Sequence, residues 1–341
     1  MRVRMMAVAV LLATTCGAWA QDEEQFLLRY NWVAGDEIVW NVTSETTGTV
    51  LMRDLTKDPA QEKETSMWSR MTMPMTLTVE DVDEDGNATV LQTMGTMQID
   101  VEAEGETKYI VIDPETGTMT ADGEEQPLPE GSAAGMAGPF RIVISPRGEM
   151  LDMELPEGFG MMMGALPGVD MEKWMKMSQG WAANFPETPI GIGYVWGAPM
   201  TPPIAVEGDV EGDAEEAEAP LGDVTVLHKL LGVRRDGDVD VVQIEMLGAM
   251  DFETLPFPGA GMTPGLGGDM TMTMGPMHVS VSGLIDFDPQ AGELLVSEAT
   301  IIMDMVQHMQ GTVETPEGAK EVNTEIITRD MKVDTTVEVV R

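Results

Sequence analysis

The sequence predicts a mostly β protein: two duplicated, curved antiparallel sheets of half-barrel type, with one substantial helix near 170–185. Three observations carry this expectation. Long segments alternate apolar and polar residues, the period-two pattern of strands that are buried on one face and wet on the other. Clusters of Gly, Pro, Asp and Asn interrupt them at hairpin spacing. Blocks of the first half also recur, in the same order, in the second.

The chain opens with Arg2 and Arg4, an apolar run from Met5 to Ala13 and the A-x-A site Ala18-Trp19-Ala20. This predicts a secretory signal peptide cut after Ala20, too short to span a bilayer. Cys16, the only cysteine, falls in that leader, so the remainder can hold no disulfide. The divisions expected are a leader at 1–20, a first β unit at 21–160, a connecting helical segment at 161–190, and a second β unit at 191–341.

Phe26, Leu28, Tyr30 and Trp32 alternate, Ala34-Gly35-Asp36 turns, and Ile38, Trp40 and Val42 alternate again, which predicts an opening hairpin. Residues 52–66 are polar and read as a loop. From Met67, the odd positions Met71, Met73, Met75, Leu77 and Val79 form one apolar face of a long strand. Asp83–Asn87 turns it into a return strand over 89–101, and Tyr109–Ile112 adds another. Residues 121–138 read as a loose loop, followed by a hairpin about Ser145-Pro146-Arg147-Gly148.

Trp174, Met177, Trp181 and Phe185, behind the capping candidate Asp170, are spaced as one helical stripe, and Pro186 ends it. The segment 198–223 has eight acids, no bases and four prolines, so it reads as a solvated acidic insertion. The second half follows with hairpins about Asp236-Gly237 and Asp288–Gly292 and a closing strand over 321–340. The recurring blocks are 35–40 with 191–196, 77–94 with 230–247, and 142–151 with 285–295.

The stretches LLRYNWVAGDEIVW, ISPRGEML and IDFDPQAGELLVSE, behind a secretory leader, resemble a family of secreted bacterial proteins that carry a domain of unknown function. That family is found in envelope-rich phyla such as planctomycetes. Curved sheets of this type are similar to the half-barrels of periplasmic lipoprotein carriers. The resemblance implies a fold and an envelope or periplasmic compartment, and it brings no activity with it.

A formal net charge of −40 disfavours nucleic acid and anionic lipid headgroups as partners. Three constellations could carry chemistry. Asp81, Asp83 and Asp85 match the front of a calcium loop, but the twelfth position is Gln92 and the flanks alternate like strands, so a hairpin turn is the plainer reading. Met272, Met274 and His278 offer thioethers and an imidazole of the kind that binds Cu(I), although Met-x-Met recurs wherever a core strand is expected. His228, His278 and His308 are scattered, and neither G-x-S-x-G nor H-E-x-x-H occurs, so no enzyme and no cofactor is expected.

What stands out is the kind of apolar residue used: 32 Met against 7 Phe and 3 Tyr. Methionine is unbranched and adapts to varied apolar partners. The sequence therefore points to an apolar groove carrying Met71, Met73, Met75, Met303 and Met305, with a lipid, acyl chain or lipoprotein as partner. The alternatives are an envelope assembly protein with a filled core and a periplasmic Cu(I) binder. No later stretch is long and apolar enough for a transmembrane helix.

Overall fold

The computed structural model describes residues 25–103, 105–128, 138–156, 184–200, 224–252, 255–257, 270–315 and 318–340. The first ten strands are β1 (Gln25–Phe26), β2 (Glu37–Asp54), β3 (Gln61–Val82), β4 (Ala88–Met94), β5 (Met97–Ala103), β6 (Glu106–Asp113), β7 (Thr118–Ala121), β8 (Glu124–Pro127), β9 (Phe140–Ile144) and β10 (Met150–Glu154). The rest are β11 (Ile190–Gly191), β12 (Val195–Met200), β13 (Val224–Asp236), β14 (Val239–Phe252), β15 (Leu255–Phe257), β16 (Met270–Asp288), β17 (Glu293–Thr315) and β18 (Gly318–Val340). The described residues contain no helix. The helix expected near 170–185 lies outside them, except for Asn184 and Phe185, which are not helical.

The chain makes one large sheet where two were expected. Sixteen strands join in antiparallel pairs along the order β12-β13-β14-β16-β17-β18-β2-β3-β5-β6-β7-β8. β18 is what unites the halves, because it pairs with β17 on one side and β2 on the other. The sheet is not closed into a barrel, since the outermost strands β12 and β8 do not pair. β3 forks: Trp68–Thr72 pairs with β5, whereas Met75–Val82 pairs with β4, which carries β9 and β10 beyond it.

Two runs of five strands share one order, β2-β3-β4-β9-β10 and β12-β13-β14-β16-β17. They also share their hydrogen bonds. Gly35 N–H donates to the Val79 carbonyl at 2.8 Å and Val79 N–H donates to Asp36 at 2.9 Å. In the second run Gly193 donates to Leu230 at 2.7 Å and Leu230 to Tyr194 at 3.0 Å. A bulge follows at the same place in each, between Val79 and Asp81 and between Leu230 and Gly232. Where the first run inserts β5–β8, the second has β15 among its described residues.

Directly paired residues of an antiparallel ladder point to the same side, so the register sorts side chains into two faces. One face carries Trp40, Val42, Met71, Met73, Met75, Leu77, Val79, Val333, Val337, Ile301, Val281, Ile285 and Ile244. The other carries Glu45, Arg70, Thr72, Glu80, Glu298, Thr300, Asp304, Asp334 and Glu338. Period-two alternation in the sequence thus becomes an apolar and a polar face on the same sheet.

Two packed clusters sit at one end of the sheet, and a third, of Val226, Met246 and Val281, takes in Met250, Val279, Ala299 and Ile301 farther along the apolar face. Leu77, Val79, Ala88 and Val90 make one of the clusters at the packed end, and Leu28, Phe185, Ile190, Trp196, Leu230, Ile244 and Phe287 contribute to the other. The expected first strand, 26–32, is a strap across this end. Only Gln25 and Phe26 pair as a strand, with β11. Beyond them the backbone donors go to turns: Tyr30 N–H to Pro146 at 2.7 Å and Asn31 N–H to Gly292 at 3.2 Å. Those two turns belong to different five-strand runs, so the strap ties the halves together and the sheet must bend around it.

Three loop expectations change for related reasons. The polar stretch 52–66 is the ends of β2 and β3, with only 55–60 turning, because paired strands need no apolar side chains where both faces are wet. Part of 121–138 is the β7–β8 hairpin. Part of the acidic insertion, 198–200, belongs to β12, and 201–223 lie outside the described residues.

Candidate functional site

The apolar face continues past the packed end. Met71, Met73 and Met75 stand on β3 and Met303 and Met305 on β17, all five on that face and all half-buried. The structure does not bring them into one cluster. β18 and β2 separate the two groups, and the ladder aligns Met71 with Ser44, Thr335 and Ala299, four residues short of Met303.

Met303 has other companions. It pairs with Met331 on one side and Val279 on the other, and Val279 pairs with Met250. Met331 lies against Gly48, where a Cβ would stand 3.1 Å from the Met331 Cα, and Gly48 pairs with Met67. Met250, Met303, Met331 and Met67 therefore lie in one row across the sheet. Met305 follows on the next row, paired with Met277 and Thr328. The sequence reading passed over Met250, Met277 and Met331 because none of them stands in a Met-x-Met run with the chosen residues. The signal that would have found them is ladder register, which alternation alone does not set.

Charge is sorted by face. Along β2, β3, β17 and β18 the apolar face holds no acidic side chain between Asp54 at one end and the packed core at the other. The acids of these strands, among them Glu45, Glu64, Glu80, Glu298, Asp304, Glu325 and Asp334, are on the polar face. From Ala299 to Met305 and across their partners on β18, β2 and β3, a chain of net charge −40 thus keeps a neutral surface, bordered by Lys63 and Asp54.

The other candidates resolve differently. Asp83 is consumed by its own turn: its carboxylate accepts the Asp85 and Asn87 N–H groups at 2.9 and 2.8 Å and the Asn87 amide at 2.9 Å. The Asn87 amide, with the backbone donors, holds that carboxyl below its usual range. Met272 and Met274 pair with Met309 and Gln307, and their side chains lie outside the described residues. His278 follows a break in the ladder, pairs with Asp304, and is engaged through Nδ1 by Asp251. Among the described residues no three carboxylate, imidazole or thiol groups converge as metal ligands would.

Several hollows adjoin the sheet. One of about 170 Å³ lies between the strap and β2, lined by Tyr30, Trp32, Asp36, Trp40, Gly292 and Val339 among others. The indole N–H groups of Trp32 and Trp40 are closed off from water and have no acceptor. Another, about 670 Å³, is a shallow depression at the neighbouring bulges of β16 and β18, bordered by His278, Asp304, Val306, Ile327 and Arg329.

At the packed end His228 is fully buried and stacks on Trp196 at 5.4 Å, with neither ring nitrogen hydrogen-bonded. Burial alone pushes its pKa down to about 4, so the ring is neutral. Burial likewise raises the Tyr30 hydroxyl to about 12. These are core groups, although His228 pairs with Met246, whose buried cluster takes in Met250 of the methionine row. Among the described residues no helix is long and apolar enough to cross a membrane.

Neither the family models nor the curated proteins contain a match to this chain. Among solved structures, lipovitellin, studied for its lipid–protein interactions, aligns with a TM-score of 0.38 and 10% identity over 91% of this chain. The aligned part is 25% of the lipovitellin chain, so this chain spans about a quarter of that length. OpdK of Pseudomonas aeruginosa with vanillate aligns at a TM-score of 0.15 and 7% identity, over 89% of this chain and 98% of its own. At these scores neither likeness bears on the fold or the ligand.

Proposed function

We propose that the chain is a secreted, non-enzymatic envelope protein that binds a hydrophobic ligand, a lipid, acyl chain or lipid-modified protein, on the methionine-bearing face of its sheet. One observation carries the reading: the apolar face runs on beyond the buried clusters with its methionines half-buried. A core destined to be filled gains its single packing from Leu, Ile, Val and Phe, whose rotamers are restricted. Thioethers forgo that and accept varied apolar shapes. Secretion rests on the leader at 1–20 and the near absence of cysteine.

The test is the double variant Met303→Glu with Met305→Glu, followed by folding and by uptake of a fluorescent fatty acid. An open face lets both carboxylates reach water, so folding survives and uptake is lost. Gross unfolding would mean the positions are sealed, since two unpaired buried charges are not tolerated. Wild type that takes up no fatty acid would remove the ligand-binding reading.

A second reading, an assembly protein of the envelope, has its own observation. Leu227 and Leu247 pair across the ladder on the polar face, each 47% exposed, beside Val195 at 51%. Such a patch on an otherwise charged face suits a protein contact.

A further inference from the structure

Resting on the ligand-binding reading above, we infer that the face holds a layer of acyl chains, several lipids at once, and is not a slot for a single chain. The argument is one of area and charge. Half-buried apolar side chains on this face run from Val279 and Met277 on β16, through Met303, Met331, Val333, Val42 and Met71, to Ile99 on β5 and Ile110 on β6. That is six ladder spacings, roughly 29 Å at the usual distance between strands. Along β17 the face runs from Ala299 to Met305, short of the row that holds Gln307 and Lys63, roughly 20 Å at the rise of a strand. The product is on the order of 600 Å² of mostly apolar surface, in which Ser44, Thr46, Ser69 and Thr335 are small polar members and Lys108 stands at the β6 edge.

A single acyl chain is much smaller. Half of a bilayer's hydrocarbon core sets its length at roughly 15 Å, and van der Waals contact its width at roughly 4–5 Å. The face therefore has room for on the order of ten chains side by side. Nothing in the described rows divides it. From Ala299 to Met305 and across their ladder partners, β2, β3, β17 and β18 place no charged side chain and no proline on this face to wall off a slot; Arg70 and Pro74 of β3 point to the other side, and Lys63 and Asp54 bound the face at the Gln307 and Met309 rows. Gly48 thins the sheet where Met331 and Met67 would otherwise be held apart, so the row is continuous across four strands. Acids confined to the far face keep the surface neutral, which matches hydrocarbon and disfavours a second copy of a chain charged −40, because its polar face and edges would be brought near their own kind.

The experiment counts lipids. The full chain is incubated with small vesicles of palmitoyl-oleoyl-phosphatidylcholine and separated from them by gel filtration. Lipid phosphorus per protein and mass by light scattering are then measured, for wild type and for Met303→Glu. A layer predicts about five two-tailed lipids per monomer, and more than half of them kept in the variant, because one carboxylate clears only its own neighbourhood. One lipid per chain, lost entirely in Met303→Glu, would overturn the layer and leave the ligand-binding reading standing. No lipid in a monomer, or no lipid in a dimer joined through this face, would overturn both. The wild-type count decides the matter even if the variant fails to fold.

Discussion

Gly292 shows how much can hang on one missing side chain. It turns β16 into β17 at φ +72°, and a Cβ there would meet Asn31 N at 2.5 Å and the Arg29 carbonyl at 2.8 Å. Gly123 has a similar φ of +86° with nothing within 4 Å. Gly123→Ala should therefore lose only the left-handed conformational term, about 1 kcal/mol, whereas Gly292→Ala should lose that and the strap contact, about 3 kcal/mol in all. Urea midpoints of the two variants measure the difference, and equal losses would mean the strap is not held there. His228 gives a second residue-scale prediction. Its native pKa of about 4 lies below its ordinary 6.5, so above pH 6.5 both folded and unfolded forms are neutral and it contributes nothing to pH dependence. As pH falls from 6.5 to 4 the unfolded chain takes up the proton and the native chain does not, which removes about 3 kcal/mol. In His228→Leu the loss of stability between pH 7 and 4.5 should be correspondingly shallower than in wild type, read from denaturation at each pH.

Among the elements, strands were legible wherever one face is apolar, because alternation reports burial directly. The β3 face from Met71 to Val79 and the turn at Asp288–Gly292 stand as the sequence predicts. The strap does not, and the reason is physical: Leu28, Tyr30 and Trp32 alternate inward as a strand would, but their backbone partners are carbonyls of two distant turns, which no local pattern reveals. The polar ends of β2 and β3 were missed for the opposite reason, since a strand wet on both faces has no periodic signal. The candidate site was half legible. Met-x-Met runs marked which residues share a face, while the row through Met250, Met303, Met331 and Met67 depends on register over more than two hundred residues. The strap itself is anchored by Phe185, fully buried between Tyr30 at 5.4 Å and Phe287 at 4.8 Å. Phe185→Ala should cost about 3–5 kcal/mol, and calorimetry should show a lowered midpoint with the β signature intact.

Across the whole molecule the dominant long-range force is self-repulsion from a net charge of −40, spread over a sheet that exposes its acids on one side. Added salt screens charges separated by more than about 10 Å at 0.1 M, so the thermal midpoint should rise between low salt and 1 M sodium chloride; a flat or falling midpoint would mean that local pairs such as Arg53 with Glu62 and Glu325 dominate. The position of β18 has a consequence of another kind, in time. It follows every other described strand in the chain yet lies in the middle of the sheet, with Thr336 opposite Thr43 and Thr300 opposite Asp334. Until it is in place, β17 and β2 are both raw edges, 23 and 18 residues long, each able to recruit a stray strand. Assembly is thus late and non-local, the regime in which folding slows and aggregation competes. A nascent chain of this design depends on something that keeps those two edges apart from other chains until the last strand arrives.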